Sequence, residues 1–464
     1  MNRPFLALIV ALLLAAAVAR AEEPQYFAIR NARIVPGRGS AIENGVVVIH
    51  DGLIAAVGAN TIIPPAALMI DGKGLTVYPG LIDALSTLGL AEAAPATTPG
   101  TARTVAPPPS TPSPPGAEPQ PPQGPEDRPH TTPWVCAADL VSPADPRLGA
   151  ARAAGFTSAM VVPPRGNIAG YGALINLAGE RPGQMVVKTP VALYTTFTVM
   201  ANWRRYPGSL IGIIAYLKQT FMDARYYQQA WAAYRAEVNG NRRPAHDRAL
   251  EGLEPVVAGR APVLLAAQTE VQIRRYLELG RQFGLPFLLY GVHEGYTVAP
   301  VIAQSRAPVL VSAKWPARAR ELDPENPESL RTLRLRDRAP STPVALEKAG
   351  VRFAFYSDGI SSYKEMLRNV KKAIDAGLPA EAALRALTLT PAQLFGVADS
   401  LGSIEPGKIA NLVVADGDLF AEKTRIKYVF VDGKMFTVPE GEARPESAPA
   451  VAGTGARKTN REVN

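Results

Sequence analysis

The stretch PVLLAAQTEVQIRRYLELGRQFGLPFLLYGV, Pro262 to Val292, decides the fold. It opens on an unbroken apolar run, passes through residues whose apolar positions recur at helical spacing, and ends on a second apolar run. An apolar run without alternation is a strand buried on both faces, and a helix between two such strands makes them parallel. The same unit recurs outward from here: FTSAMVVP before it, then PFLLYGV with EGYTVAPVIAQ, APVLVSAK, and VRFAFYSD with SSYKEMLRNVKKAIDAG after it. Repeated over roughly 300 residues, the pattern favours a (β/α)8 TIM-like barrel over a doubly wound sheet, because no Gly-rich phosphate fingerprint follows an early strand. PPRGNIAG comes nearest to such a fingerprint, and its spacing is wrong. The long run SLIGIIAYLKQTFMDARYYQQAWAAYRAEV reads as one amphipathic helix whose aromatics serve packing.

Both flanks of this α/β region read differently. YFAIRNARIVPGRGSAIENGVVVIHDGLIAAVG alternates apolar and polar residues and carries the hairpin signals NG and DG, and IANLVVADGDLFAEKTRIKYVFVDGKMFTV repeats the signature far away. Two such segments can pair into one small β-sandwich. The expected organisation is a signal peptide at 1–21, a composite β-sandwich domain from 22–75 and 401–437, a barrel over 76–400, and a disordered tail at 438–464. Within the barrel, 93–132 is dense in proline and poor in large apolar residues, so a flexible insert is expected there. The first 21 residues pair an early basic residue with an apolar run too short to span a bilayer and small residues at Ala19 and Ala21, the pattern of an export signal. A periplasmic or secreted protein is expected, with no membrane span once the signal is removed.

The 464-residue chain is 47% apolar, which suffices for a large core. Cys136 is its single cysteine, which excludes an intrachain disulfide and a thiolate zinc site. Lys and Arg number 49 against 41 Asp and Glu, but the excess of +8 is dispersed and lacks the aromatic interleaving of single-strand binders, so nucleic acid is excluded as a partner. No G-x-S-x-G elbow is present.

LTLTPAQLFGVADSLGSIEPGKIANLVVADGDLF, with VYPGLIDA and FAFYSDG, resembles the amidohydrolase superfamily. Asn411 stands where that family's return strand usually has Asp. ADPRLGAARAAGFTSAMVVP, YPGSLIGIIAYLKQTFMDARYY and GLPFLLYGVHEGYTVA look closest to exported bacterial members of the imidazolonepropionase-like branch. The resemblance implies a divalent metal such as zinc, held at the barrel mouth by two histidines on the first strand, one after each of two later strands, and a late aspartate. The metal would lower the pKa of a bound water, which the aspartate deprotonates.

Carried onto this chain, the four histidine positions are Leu85, Thr87, Ala266 and Gly291, none of them a histidine. Asp358, in FYSDG, matches the aspartate and is a candidate base, or the cap of a strand-end turn. His293 lies two positions past a lost ligand, so a regular strand would keep it on the same side as a candidate mouth residue. By the same alternation Ser86 should face away from the lost ligands. The remaining histidines, His50, His130 and His246, lie outside the motif, and Lys188, Lys218 and Lys314 have no histidines with which to bridge metals. The expectation is an exported superfamily protein with a degenerate metal centre, no cofactor, and a role in binding or interaction. The alternative is a diverged hydrolase of carbon–nitrogen bonds in cyclic or non-peptide amides, retaining a metal. The implied partners are a small amide-like molecule, a second copy of the chain, or an active paralogue.

Overall fold

A computed structural model of the chain describes residues 26–90, 128–199, 206–240, 242–318, 327–360 and 362–439. The expected signal at 1–21, most of the Pro-rich insert and nearly all of the tail lie outside the described residues. Description resumes at Arg128, inside the segment expected to be flexible, and the side chains there are anchored. Arg128 pairs with Asp223 at 3.0 Å and Asp247 at 3.4 Å, and Thr131 bonds the Tyr216 hydroxyl at 2.6 Å.

The two flanking segments share one eight-stranded sheet. Tyr26–Ile34, Ile42–His50 and Leu53–Gly58 form an antiparallel run, and Leu68–Asp71 adds parallel to the first of them. The join to the C-terminal strands is Thr76–Pro79, parallel to Tyr26–Ile34 on one side and antiparallel to Leu412–Ala415 on the other. Ile426–Val431 and Lys434–Thr437 complete the sheet. Of the turn signals, Asp51-Gly52 and Asp432-Gly433 do turn hairpins, each with both residues left-handed. Asn44-Gly45 does not: it sits inside Ile42–His50 where the register slips, because the missing Cβ of Gly45 leaves room for the Ile34 side chain.

The Pro262–Val292 unit folds as its sequence indicates. Val263–Ala267 leads into the helix Glu270–Phe283 and then to the parallel strand Phe287–Gly291. Thr269 and Gln272 form a reciprocal capping box at the helix start, and left-handed Gly284 ends it. Val309–Ser312 and Phe353–Tyr356 extend this parallel run, and Leu193–Thr195 joins its other edge, in a six-stranded sheet. A four-stranded sheet holds Leu81–Ser86 parallel to Phe156–Val161. The middle is not wholly parallel: Ile168–Tyr171, Ala173–Asn176 and Val186–Lys188 pair antiparallel. The first two are consecutive, separated by Gly172, and belong to different sheets.

Each parallel strand divides its side chains between two apolar groups. Leu81, Phe156, Val263, Leu289, Val309 and Phe355 pack with the helices. Ile82, Met160, Leu264, Leu288, Leu310 and Ala354 pack with one another across the strands. Burial on both faces is what the unbroken apolar runs require. Asn411 ties the flanking sheet to this region: its amide nitrogen donates to Ser158 Oγ at 3.0 Å and Asn176 Oδ1 at 2.8 Å, and its oxygen accepts from the Asp432 amide. A carboxylate there would have no hydrogens to give, which accounts for Asn in place of Asp.

Candidate functional site

The strand ends Leu85–Ser86 and Tyr356–Ser357, with the loops that follow, surround a cavity of about 310 Å³. Its wall includes Thr87, Arg147, Asp358 and four tyrosines, at 194, 290, 356 and 363. The backbone turns at Ser357 to Ile360, with Asp358 and Gly359 both left-handed. The Asp358 carboxylate lines the cavity and accepts from Ser312 Oγ at 2.9 Å.

Beside the cavity lies a buried carboxylate. Asp83 is fully enclosed; one oxygen accepts from the Ser357 amide at 3.0 Å and the Leu85 amide at 3.4 Å, the other from the Tyr363 hydroxyl at 2.9 Å. Burial pushes its pKa up to about 6, against the lowering effect of the Ser357 hydroxyl and of these three donors. The Tyr363 hydroxyl also lies 3.3 Å from Ser86 Oγ. Ser86 therefore shares a partner with Asp83, although strict alternation puts the two on opposite faces. The reason is a register slip between Asp83 and Ser86 in the pairing with Phe156–Val161. Burial raises the Tyr363 pKa well above 10, and the ionised Asp83 adds to it, so the tyrosine cannot act as a base toward Ser86.

His293 takes a different place from the one a regular strand gives it. The strand ends at Gly291, and Gly291 and Val292 both have positive φ, +100° and +52°. A β-branched residue there marks a sharp, sterically costly turn. Val292 is fully buried, and the His293 ring packs 6.3 Å from the Trp315 ring rather than among the cavity-lining residues. The imidazole hydrogen-bonds the Lys314 backbone, while its Nε2 is buried without a hydrogen-bond partner. Burial, the largest influence, lowers its pKa and favours the neutral ring.

The four positions at which the resemblance places histidines present no histidine, cysteine or carboxylate to a divalent cation. Leu85 packs into the interior apolar group, Ala266 lies against it, and Thr87 is exposed. Gly291 lacks a donor, and its backbone conformation is one that side chains rarely adopt; a Cβ there would stand 3.1 Å from Gln268 Cγ. Tyr290, partnered with Ala266 across the strands, fills this region and donates its hydroxyl to the Thr195 carbonyl at 2.9 Å. Among the described residues no three or more His, Cys, Asp or Glu side chains gather where they could hold a metal ion. A metal-binding site needs several convergent N, O or S donors, and this donor set does not fit one.

The other sequence candidates are scattered. His50 stacks on Tyr26 in the flanking sheet, His246 pairs with Glu251 on the surface, and Lys188 donates to the Phe395 carbonyl. Cys136 Sγ meets Thr189 Oγ1. Sequence reasoning missed the tyrosines of the wall. The signal available for three of them was position: Tyr194, Tyr290 and Tyr356 each lie at or within a residue of a strand's last residue.

A family model described as "Amidohydrolase family" matches residues 326–436. A curated relative, amidohydrolase tasK of Hapsidospora irregularis, is 22% identical over 425 residues, covering 86% of this chain; the chain spans only 40% of that relative's length. Among solved structures, an amidohydrolase from Thermotoga maritima MSB8 is similar over 89% of this chain and 100% of its own, at 25% identity and a TM-score of 0.71. A prolidase complexed with N-methylphosphonate-L-proline is similar in fold over 89% of this chain and 99% of its own, at 18% identity and a TM-score of 0.52. The matched family segment covers the late strand, the final helices and the return strands, and over most of its length the chain is similar in fold to a solved amidohydrolase.

Proposed function

We propose that this chain is a metal-independent binding member of its superfamily, which holds a small polar molecule at the strand ends and does not hydrolyse amides through a metal-bound water. The observation that carries the reading is the strand end at Gly291 and Val292. A ligand residue there would need a backbone conformation hostile to a side chain, next to Ala266 and Leu85, which present only hydrocarbon. The loss therefore extends from side chains to backbone. Without a cation to lower the pKa of water, Asp358 has no metal-bound water to deprotonate.

The scaffold around the cavity is read as a closed (β/α)8 barrel over 76–400, with the flanking domain built from 22–75 and 401–437. The inward-packing set of alternate side chains supports closure, as does the hydrogen bond from the Ser357 amide to Asp83, which joins the last parallel strand to the first. Binding sites of barrels lie at this end of the strands.

The test is to purify the chain, measure zinc, iron and manganese by elemental analysis, and assay hydrolysis of cyclic and acyclic amides. Substoichiometric metal and no metal-dependent turnover are expected. Stoichiometric metal lost together with amide hydrolysis on Asp358→Asn would overturn the reading.

A further inference from the structure

Three tyrosine rings and one carboxylate meet in the wall of the cavity. Tyr194 and Tyr290 have ring centroids 5.6 Å apart at 37°, and Tyr290 and Tyr356 have centroids 6.2 Å apart at 78°. Tilted and edge-on pairs of this kind form a corner. Tyr290 is fixed by its bond to the Thr195 carbonyl, and Tyr290 and Tyr356 are almost wholly buried. The Asp358 charge is felt at the hydroxyls of all three tyrosines, raising their pKa values. Among the described residues Asp358 accepts a side-chain hydrogen bond from Ser312 through one oxygen, and a carboxylate has acceptor capacity beyond one such bond.

The charges around the cavity favour a cation. Arg147, the basic side chain of the wall, is held by Asp145 at 2.7 Å and by the carbonyls of Thr87 and Leu90, so its charge is met within the protein. Asp83 lies behind Tyr363 and adds negative charge to the same end of the strands. An aromatic face attracts a cation through its quadrupole, and several faces around a carboxylate are the chemistry that recognises organic ammonium groups.

We infer that the cavity binds a small organic ammonium compound, its cationic head set between Tyr194, Tyr290 and Tyr356 with Asp358 as counter-ion. The inference rests on the binding reading above and names its ligand class. The volume of about 310 Å³ admits a compact ligand with one cationic head and a short polar arm. Ser86 and Ser357 also line the cavity.

Calorimetric titration of the purified chain with choline and with its neutral carbon isostere, 3,3-dimethylbutan-1-ol, tests this. Choline is expected to bind about tenfold or more tightly than the isostere, within the range of a desolvated cation–π contact. Asp358→Asn should abolish most of that preference, and Tyr194→Leu should weaken choline severalfold while Tyr194→Phe, which keeps the ring, leaves it bound. Tyr194 is the variant of choice because it is only half-buried, and circular dichroism confirms the fold. Equal affinity for the two probes, or a preference that survives Asp358→Asn, overturns the ammonium assignment and leaves the binding reading standing. Failure of both probes to bind also overturns the assignment; the binding reading is then decided by the metal content and amide hydrolysis described above.

Discussion

Replacing Asp83 by Asn should remove a step in the stability of the protein against pH. Asp83 is fully buried, and its pKa of about 6 lies above the usual 3.8 of the unfolded chain. Between these values the folded protein holds a proton that the unfolded chain has released. The stability contributed by that proton is fully present below about pH 3.8 and is lost as pH rises through about 6. At 1.36 kcal/mol per pH unit, the separation is worth about 3 kcal/mol, most of it between about pH 4 and pH 7. Asn at the same place does not ionise. Its oxygen can keep the amides of Ser357 and Leu85, and its nitrogen can donate to the Tyr363 hydroxyl. Urea unfolding of both proteins across this pH range gives the difference curve, in which titrations common to both cancel. The Asn variant should gain about 3 kcal/mol relative to the parent from low to neutral pH. A flat difference, or one that falls with pH, would refute the reasoning, because it would mean that the four donors hold the folded-state value at or below 3.8.

Two further substitutions probe the same corner of the molecule. Tyr363→Phe leaves one Asp83 oxygen without its hydroxyl donor, at a cost of about 1–3 kcal/mol, and should move the pH step upward because a donor that favours the carboxylate is gone; an unmoved step in the same urea series would count against the assigned network. Gly80→Ala would drive a methyl into the Thr157 side chain, so urea unfolding should show a loss of about 1–3 kcal/mol, partly recovered in the double variant Gly80→Ala/Thr157→Ala.

The sequence carried the parts of this structure that depend on neighbours a few residues away. The capping box at Thr269 and Gln272, the stop at Gly284, and the strands on either side are all local chemistry, and each can be read from residues 262–292. The helix Leu210–Ala236, capped by Ser209, follows for the same reason. The pairing of the flanking segments was legible because their alternation and turn residues match, although Asn44-Gly45 shows that a turn dipeptide can become a bulge when a partner strand supplies a side chain to fill it. What stayed hidden was the site's wiring. Asp83 meets residues 274 and 280 positions away, and no local pattern announces such partners. The slip that turns Ser86 toward Tyr363, and the left-handed step at Val292 that withdraws His293, break the alternation on which both side-chain placements had been reasoned.

The replacements at the strand ends are coherent rather than piecemeal. Leu85 joins the interior apolar group, and Asp83, two residues before it, holds the Ser357 turn. That turn in turn sets Asp358 against the tyrosines. Beside it, Tyr290 has its hydroxyl bonded and its ring against two others. Burying a tyrosine with its hydroxyl satisfied is favourable, whereas a half-dismantled cluster of polar ligands would cost several kcal/mol in unpaired groups. The wall thus sets buried tyrosines, with the Tyr290 hydroxyl satisfied, beside one carboxylate, and the proposed ammonium site is argued from that arrangement.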